Sequence, residues 1–262
     1  MKRFTAVTLV TIAVLTCYAS AQNQLPASNS QAVAYAAQSI AALTGSATVS
    51  DVTLTGTVTW NAGTDTGTVT LRALGTGESR MDLALSSGTR TEIRDAQTGV
   101  PLGQWINPNG TSGLYAFQNC QTDAAWFFPA LGSLAAPSVV LSYVGQETRN
   151  NKIVQHIQSY FYQANPPPGI PTQQLSTMDF YLDATTYLPV AVGFNAHPDN
   201  GSGANLPTEV DFSNYQSVSG VLVPMRIQRY LQGNLLVDIT VSNASFNTGL
   251  PLSDFSVNQA HN

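Results

Sequence analysis

Hydrophobic and polar residues alternate with a period of two along most of this chain, and the C-terminal third shows it best. Val221, Val223, Met225 and Ile227 alternate with Leu222, Pro224, Arg226 and Gln228. After Gln232-Gly233-Asn234, Leu235, Val237, Ile239 and Val241 alternate with Leu236, Asp238, Thr240 and Ser242. A Gly in a short polar break between two such runs signals a hairpin. One apolar face and one mainly polar face describe an antiparallel sheet that buries one side. The same pattern runs through 176–183, 187–194 and 209–215, and upstream through 52–60, 67–73, 81–85, 89–95 and 100–106, with turn residues between them. It resumes at Val139, Leu141 and Tyr143 and again over 152–163.

Two stretches depart from it. Residues 30–44 place Val33, Ala36, Ala37, Ile40 and Leu43 at helical spacing in an Ala-rich run, with Ser30 as N-cap and Gly45 as stop. The apolar stripe is narrow, so the helix is expected to lie on something rather than inside it. Residues 120–136 carry Trp126, Phe127, Phe128, Leu131 and Leu134, with Pro129 in their midst. One or two short helices interrupted near Pro129, capped by Thr122 or Asp123, are expected there. Residues 107–113 read as a break, and 165–171, with three consecutive prolines, and 197–207 as loops. The fold class is therefore α+β and mainly β. It is a strongly curved antiparallel sheet of about 11–12 strands, covered by an N-terminal helix and a central helical insert. With no linker between composition types, residues 22–262 read as one domain.

Composition narrows the function classes. Charged residues make up 10% of the chain, against about 25% in typical domains. The formal net charge is −5. Neither a nucleic-acid footprint nor a polybasic membrane patch is present. Lys2 and Arg3, an apolar run from Phe4 to Leu15 and Ala19-Ser20-Ala21 have the form of a secretory signal cleaved after Ala21. The expected location is the periplasm or another exported compartment. Cys17 admits a second reading, as a lipid-acceptor cysteine. Cys120 is the only cysteine beyond the signal, so no internal disulfide forms. It reads as a small buried apolar residue, with a reactive thiol as the alternative.

The stretch Phe180-Tyr181-Leu182-Asp183-Ala184-Thr185-Thr186-Tyr187-Leu188-Pro189-Val190 is followed by Asp211–Tyr215, Val218–Pro224, the Gly-centred hairpin and Leu250–Phe255. This succession resembles the C-terminal half of LolA-like periplasmic proteins, the outer-membrane lipoprotein-sorting superfamily, whose relatives include LolB and sensors of the RseB/MucB type. The resemblance implies a curved half-barrel closed by helices, with an apolar cavity for the acyl chains of a lipid or lipoprotein. The alternative is a protein-interaction or sensor module on the same scaffold, with the loops 165–171 and 197–207 meeting an envelope protein partner. The cavity and lid residues expected on this basis are Trp60, Met81, Leu83, Trp126, Phe127, Phe128, Leu131, Phe180, Met225 and Ile227. The aromatic cluster reads equally as core packing.

The catalytic inventory is thin. His156, His197 and His261 are scattered, and no metal-ligand spacing or Gly-x-Ser-x-Gly elbow occurs. Asp179, Asp183, Glu209 and Asp211 could pair across strands, but acids of this kind usually lie on a solvated face. No enzyme activity, metal or cofactor is expected. Gly75-Thr76-Gly77 is a turn, because no Lys or helix follows it.

Overall fold

The hairpin at Gln232-Gly233 is built as its sequence demands. Gln232 (φ 50°) and Gly233 (φ 78°) both take left-handed backbone, the turn whose twist matches that of the flanking strands. Asn150-Asn151 and Ser219-Gly220 make the same kind of turn elsewhere. The computed structural model describes residues 25–96, 100–166 and 168–258. The signal segment 1–21, Cys17 and His261 lie outside the described residues.

Thirteen strands form one antiparallel sheet. They are β1 (Asp51–Trp60), β2 (Asp65–Leu74), β3 (Ser79–Leu85), β4 (Gly88–Asp95), β5 (Leu102–Ile106), β6 (Ser112–Leu114), β7 (Val139–Arg149), β8 (Lys152–Phe161), β9 (Met178–Asp183), β10 (Pro189–Ala196), β11 (Leu206–Val218), β12 (Val221–Leu231) and β13 (Asn234–Phe246). Their order is β6-β5-β4-β3-β2-β1-β13-β12-β11-β10-β9-β8-β7. The first and last strands of the long meanders thus meet at the centre, and β6 and β7 are the free edges. Laid flat, thirteen strands at about 4.8 Å spacing would span roughly 60 Å. Yet Leu83 on β3, Ile157 on β8 and Phe180 on β9 belong to one buried core. The sheet therefore curls over its inner face without closing into a barrel.

Local features permit the curl. At Gly56 a Cβ would fall 2.0 Å from the Thr240 carbonyl oxygen, and at Gly67 1.9 Å from that of Ala84. Only glycine allows the neighbouring backbones to approach this closely. Beside Gly56 the β1–β13 register slips by one residue. Ser242 is the extra residue, and its hydroxyl donates to the Thr55 carbonyl at 3.2 Å. The bulge switches the inward phase of β13, so Val241 and Ala244 are both buried.

Helix α1 (Ser30–Thr44) has the expected length and ends on Gly45 at φ 58°. Its cap is Asn29, not Ser30: the Asn29 side chain accepts from the amides of Gln31 and Ala32, both at 3.0 Å. The buried face is Ala32, Ala36, Ser39 and Leu43, while Val33 is exposed. Small residues on that face bring the helix close to the sheet, where it packs on β12, β7 and β8. Two further expectations need correction. The strand count is thirteen, because β6 lies in the Asn/Pro/Gly stretch read as a break. The central insert contains no α-helix. It has three 3-10 turns, Phe117–Cys120, Pro129–Leu131 and Ser133–Ala135. Pro129 starts the second of them, having no amide to continue a helix from the preceding turn. A short helix that the sequence did not signal, α2 (Thr172–Leu175), follows the proline loop.

Candidate functional site

Cross-strand partners point to the same side of a sheet, and this rule places unexpected residues on the inner face. Arg90 pairs with Leu83, Glu92 with Met81 and Trp105, and Arg94 with Ser79 and Gly103. Met81 and Leu83 are core residues, so Arg90, Glu92, Arg94 and Trp105 face inward with them. From the other half of the sheet, Arg229 pairs with Val210 and Val237, both fully buried. The inner face is apolar over most of its width and charged where β4, β5 and Arg229 of β12 line one cavity.

These residues, with Trp126 and Phe127 of the central segment, line a cavity of about 390 Å³. Glu92 accepts from Arg90 Nε at 3.1 Å and from Nη2 at 2.8 Å. The Arg90 guanidinium also meets Asn107 and stands 4.8 Å from the Trp60 ring centroid. Arg94 donates to the carbonyls of Asn119 (3.0 Å) and Thr122 (3.1 Å), leaving its Nε buried without a partner. Arg229 lies 5.1 Å from the centroid of Trp126, and its Nε is also buried and unpartnered. Burial, reinforced by the neighbouring Glu92 carboxylate, pushes the Tyr115 phenol well above its ordinary pKa, so it stays a neutral donor.

A second cavity, about 670 Å³, lies under the other side of the central segment. Ala125, Ala130, Leu131, Ala136 and Phe161 supply much of its apolar wall. Arg94, Thr122, Asp123 and Ala124 line both cavities and form the partition between them. The Asp123 carboxylate accepts from the amide (2.8 Å) and hydroxyl (3.1 Å) of Ser133. Burial raises its pKa to about 6, against the pull of Ser133 and Arg94. Cys120 is buried beside the same partition, and burial pushes its thiol pKa up, the opposite of what a reactive thiolate needs.

The ten expected cavity residues divide. Met81, Trp126 and Phe127 line the smaller cavity and Leu131 the larger. Leu83, Phe128, Phe180 and Ile227 are packed in the core with essentially no exposure, and Trp60 and Met225 lie against it. The charged lining escaped sequence reasoning, although a signal was there. Arg229 continues the inward phase of Val221, Val223, Met225 and Ile227, and Arg90-x-Glu92-x-Arg94 puts three charges on one face of a strand.

The carboxylates singled out in the sequence lie elsewhere, on the outer face. Asp179 meets His156 Nε2 at 2.8 Å, and Glu209 meets Arg149 at 2.6 Å. Asp183 accepts from Thr185 and Thr186 amides and orders a turn. Asp211, beside Glu209, is raised to about 6 by burial and by that neighbouring charge. Among the described residues no group of three or more His, Cys, Asp or Glu could hold a metal ion. The His197 ring is held by the Ala204 carbonyl at 3.0 Å and is structural.

No protein-family model matches the sequence. Nor does any curated protein match it. Solved structures do. A domain from Vibrio parahaemolyticus described as a candidate outer membrane lipoprotein-sorting protein superposes with a TM-score of 0.54 at 14% identity, covering 86% of this chain and 96% of its own. A LolA superfamily protein from Nitrosomonas europaea gives 0.55 at 10% identity, with coverage of 86% and 97%. A DUF1329 family protein from Desulfovibrio piger gives 0.52 at 10% identity, with coverage of 86% and 96%. These matches run over almost the whole of each of those chains, so the resemblance carried by residues 180–255 extends to the entire architecture: the protein has the LolA-like fold.

Proposed function

We propose that this is an exported binding protein that holds the acyl chains of a lipid or lipoprotein between the curved sheet and the segment 117–136. The observation that carries the proposal is the 670 Å³ cavity walled by Ala130, Leu131, Ala136 and Phe161. Its volume falls within the roughly 300–1,000 Å³ of small-molecule sites, and it sits in a fold shared with lipoprotein-sorting domains. Each methylene transferred from water contributes about 0.8 kcal/mol, so a long chain supplies several kcal/mol without polar contacts. The cover over the site is made of 3-10 turns, which hold few backbone hydrogen bonds and can shift to admit a chain. The family resemblance and the signal-like N-terminus support export.

The test is saturable uptake of a fluorescent fatty acid by delipidated protein, with mass spectrometry of the solvent extract before delipidation. Ala136→Trp, which fills the larger cavity, is expected to weaken uptake roughly tenfold or more while the protein stays folded. Absence of saturable uptake and of any extracted lipid would sink the proposal.

A further inference from the structure

One arginine of the charged cavity has no carboxylate partner of its own among the described residues. Three arginines and three acids line it. Glu92 is held by Arg90. Asp123, ionised at pH 7.5, accepts from Ser133 in the partition and offsets the charge of Arg94 beside it. Asp199 belongs to an exposed loop at the rim. Arg229 remains. Arg94 is satisfied on two nitrogens by neutral carbonyls and on Nε by nothing. Arg229 points inward from the middle of the sheet, and among the described residues no hydrogen bond or ion pair reaches its guanidinium. A buried unpaired donor of this kind is a net cost to the folded state, larger when the group is charged. Planar guanidinium groups recognise carboxylate and phosphate through paired hydrogen bonds.

We propose that the smaller cavity is an oxyanion site. Arg229, supported by Arg94, takes the carboxylate or phosphate head of an acidic amphiphile whose chain lies in the adjoining larger cavity. Trp126 backs the Arg229 guanidinium. The chain half of this assignment rests on the function proposed above. The oxyanion half does not, because the geometry at Arg229 is independent of what lies beyond the partition. Acyl-chain length sets uptake in the larger cavity, and head charge sets selectivity in the smaller one.

The experiment compares ligands of one chain length and different heads on the delipidated full chain at pH 7.5: palmitate, hexadecanol and hexadecyltrimethylammonium. Inorganic phosphate and acetate serve as chain-free controls, read as shifts in Tm. Palmitate is expected to bind at least about tenfold more tightly than hexadecanol, with the ammonium weakest of the three. Arg229→Met should bring palmitate to within about twofold of hexadecanol and leave hexadecanol unchanged. Arg229→Lys should retain part of the preference. The wild-type series needs no variant, so a folding defect in either variant leaves the proposal testable.

Equal binding of palmitate and hexadecanol overturns the oxyanion site while the acyl-chain function stands. Binding of neither chain, together with a Tm rise from phosphate or acetate that Arg229→Met abolishes, keeps the oxyanion site, assigns it to a free ion and removes the acyl-chain function. No response to any of the five ligands overturns both.

Discussion

The inner face of this sheet has two regions built on opposite rules. Leu83, Ile157, Phe180 and Ile227 pack with Phe127 and Phe128 in one core and leave essentially no exposed surface. Across the segment 120–126 the same face carries Arg90, Glu92, Arg94 and Arg229 around an open volume. The first region gains free energy from burial and dispersion. The second gives some of it up by enclosing charge that its own residues do not fully satisfy. Phe127 borders both regions, so the change happens within one side chain's width. A fold that needed only stability would have continued the apolar pattern. On the function proposed above, the departure marks where binding, rather than folding, selects the residues.

The largest expected contrast lies between two neighbours in the central segment. Phe128 is fully buried, with its ring centroid 5.9 Å from that of Phe246. Phe128→Ala should cost about 4 kcal/mol, the range for a large core side chain leaving a cavity. Trp126 is half-buried on the cavity wall, and Trp126→Ala should cost about half that or less despite removing a larger side chain. Urea denaturation with a common slope measures both. Equal losses would mean that the Trp126 side is packed as tightly as the core and would erase the distinction.

The partition itself should respond to pH. Asp123 has a folded pKa of about 6, above its ordinary 3.8, because burial disfavours the carboxylate. The folded state therefore holds its proton longer than the unfolded chain does. Its contribution to stability is fully present below about pH 4 and is lost as pH rises through about 6. Asp123→Asn keeps the acceptor for the Ser133 amide and removes the titration. The difference between wild-type and variant stability curves should change by about 2 kcal/mol between pH 4 and 7. Asp211, also raised to about 6, contributes equally to both curves and cancels. A difference curve that is flat over this range would place the Asp123 carboxylate in a solvated rather than a buried position.

The legibility of the chain follows the same divide. Where one face is buried and the other wet, alternation reports it directly, and twelve of the thirteen strands announce themselves in this way. The exception, Ser112–Leu114, is three residues long in a stretch of Asn, Gly and Ser, too short for a period to show. The bulge at Ser242 and the close approaches at Gly56 and Gly67 are invisible to periodicity, since they depend on which strand lies alongside. The central segment misled for a different reason. Its Trp-Phe-Phe cluster has the composition of a helix face, but Pro129 and the hydrogen bonds from Ser133 to Asp123 fix it as separate turns. The site was the least legible part. Arginine at an inward phase reads as an outward residue until the partners across the strand are known.

Arg226 and Arg229 put that last point in its smallest measurable form. They are three residues apart on β12 and so face opposite sides of the sheet. Arg226 is outward, with Nε 3.2 Å from Asp238 Oδ1 and Nη2 2.8 Å from Oδ2, and its side chain is 46% exposed. Arg229 is inward and unpaired at Nε. Solvent screening leaves an exposed pair worth about 0.5 kcal/mol or less, so Arg226→Ala should lower stability slightly and leave ligand binding untouched. In the ligand-free protein, Arg229→Met should move stability the other way, by about 1 kcal/mol, because it replaces an unsatisfied buried donor with an apolar side chain of similar length. A paired arginine whose loss costs stability and an unpaired one whose loss restores it are expected only if the second is kept for something other than the fold. Should both substitutions destabilise alike, Arg229 is part of the structure, and the charged region of the inner face is only a less tightly packed core.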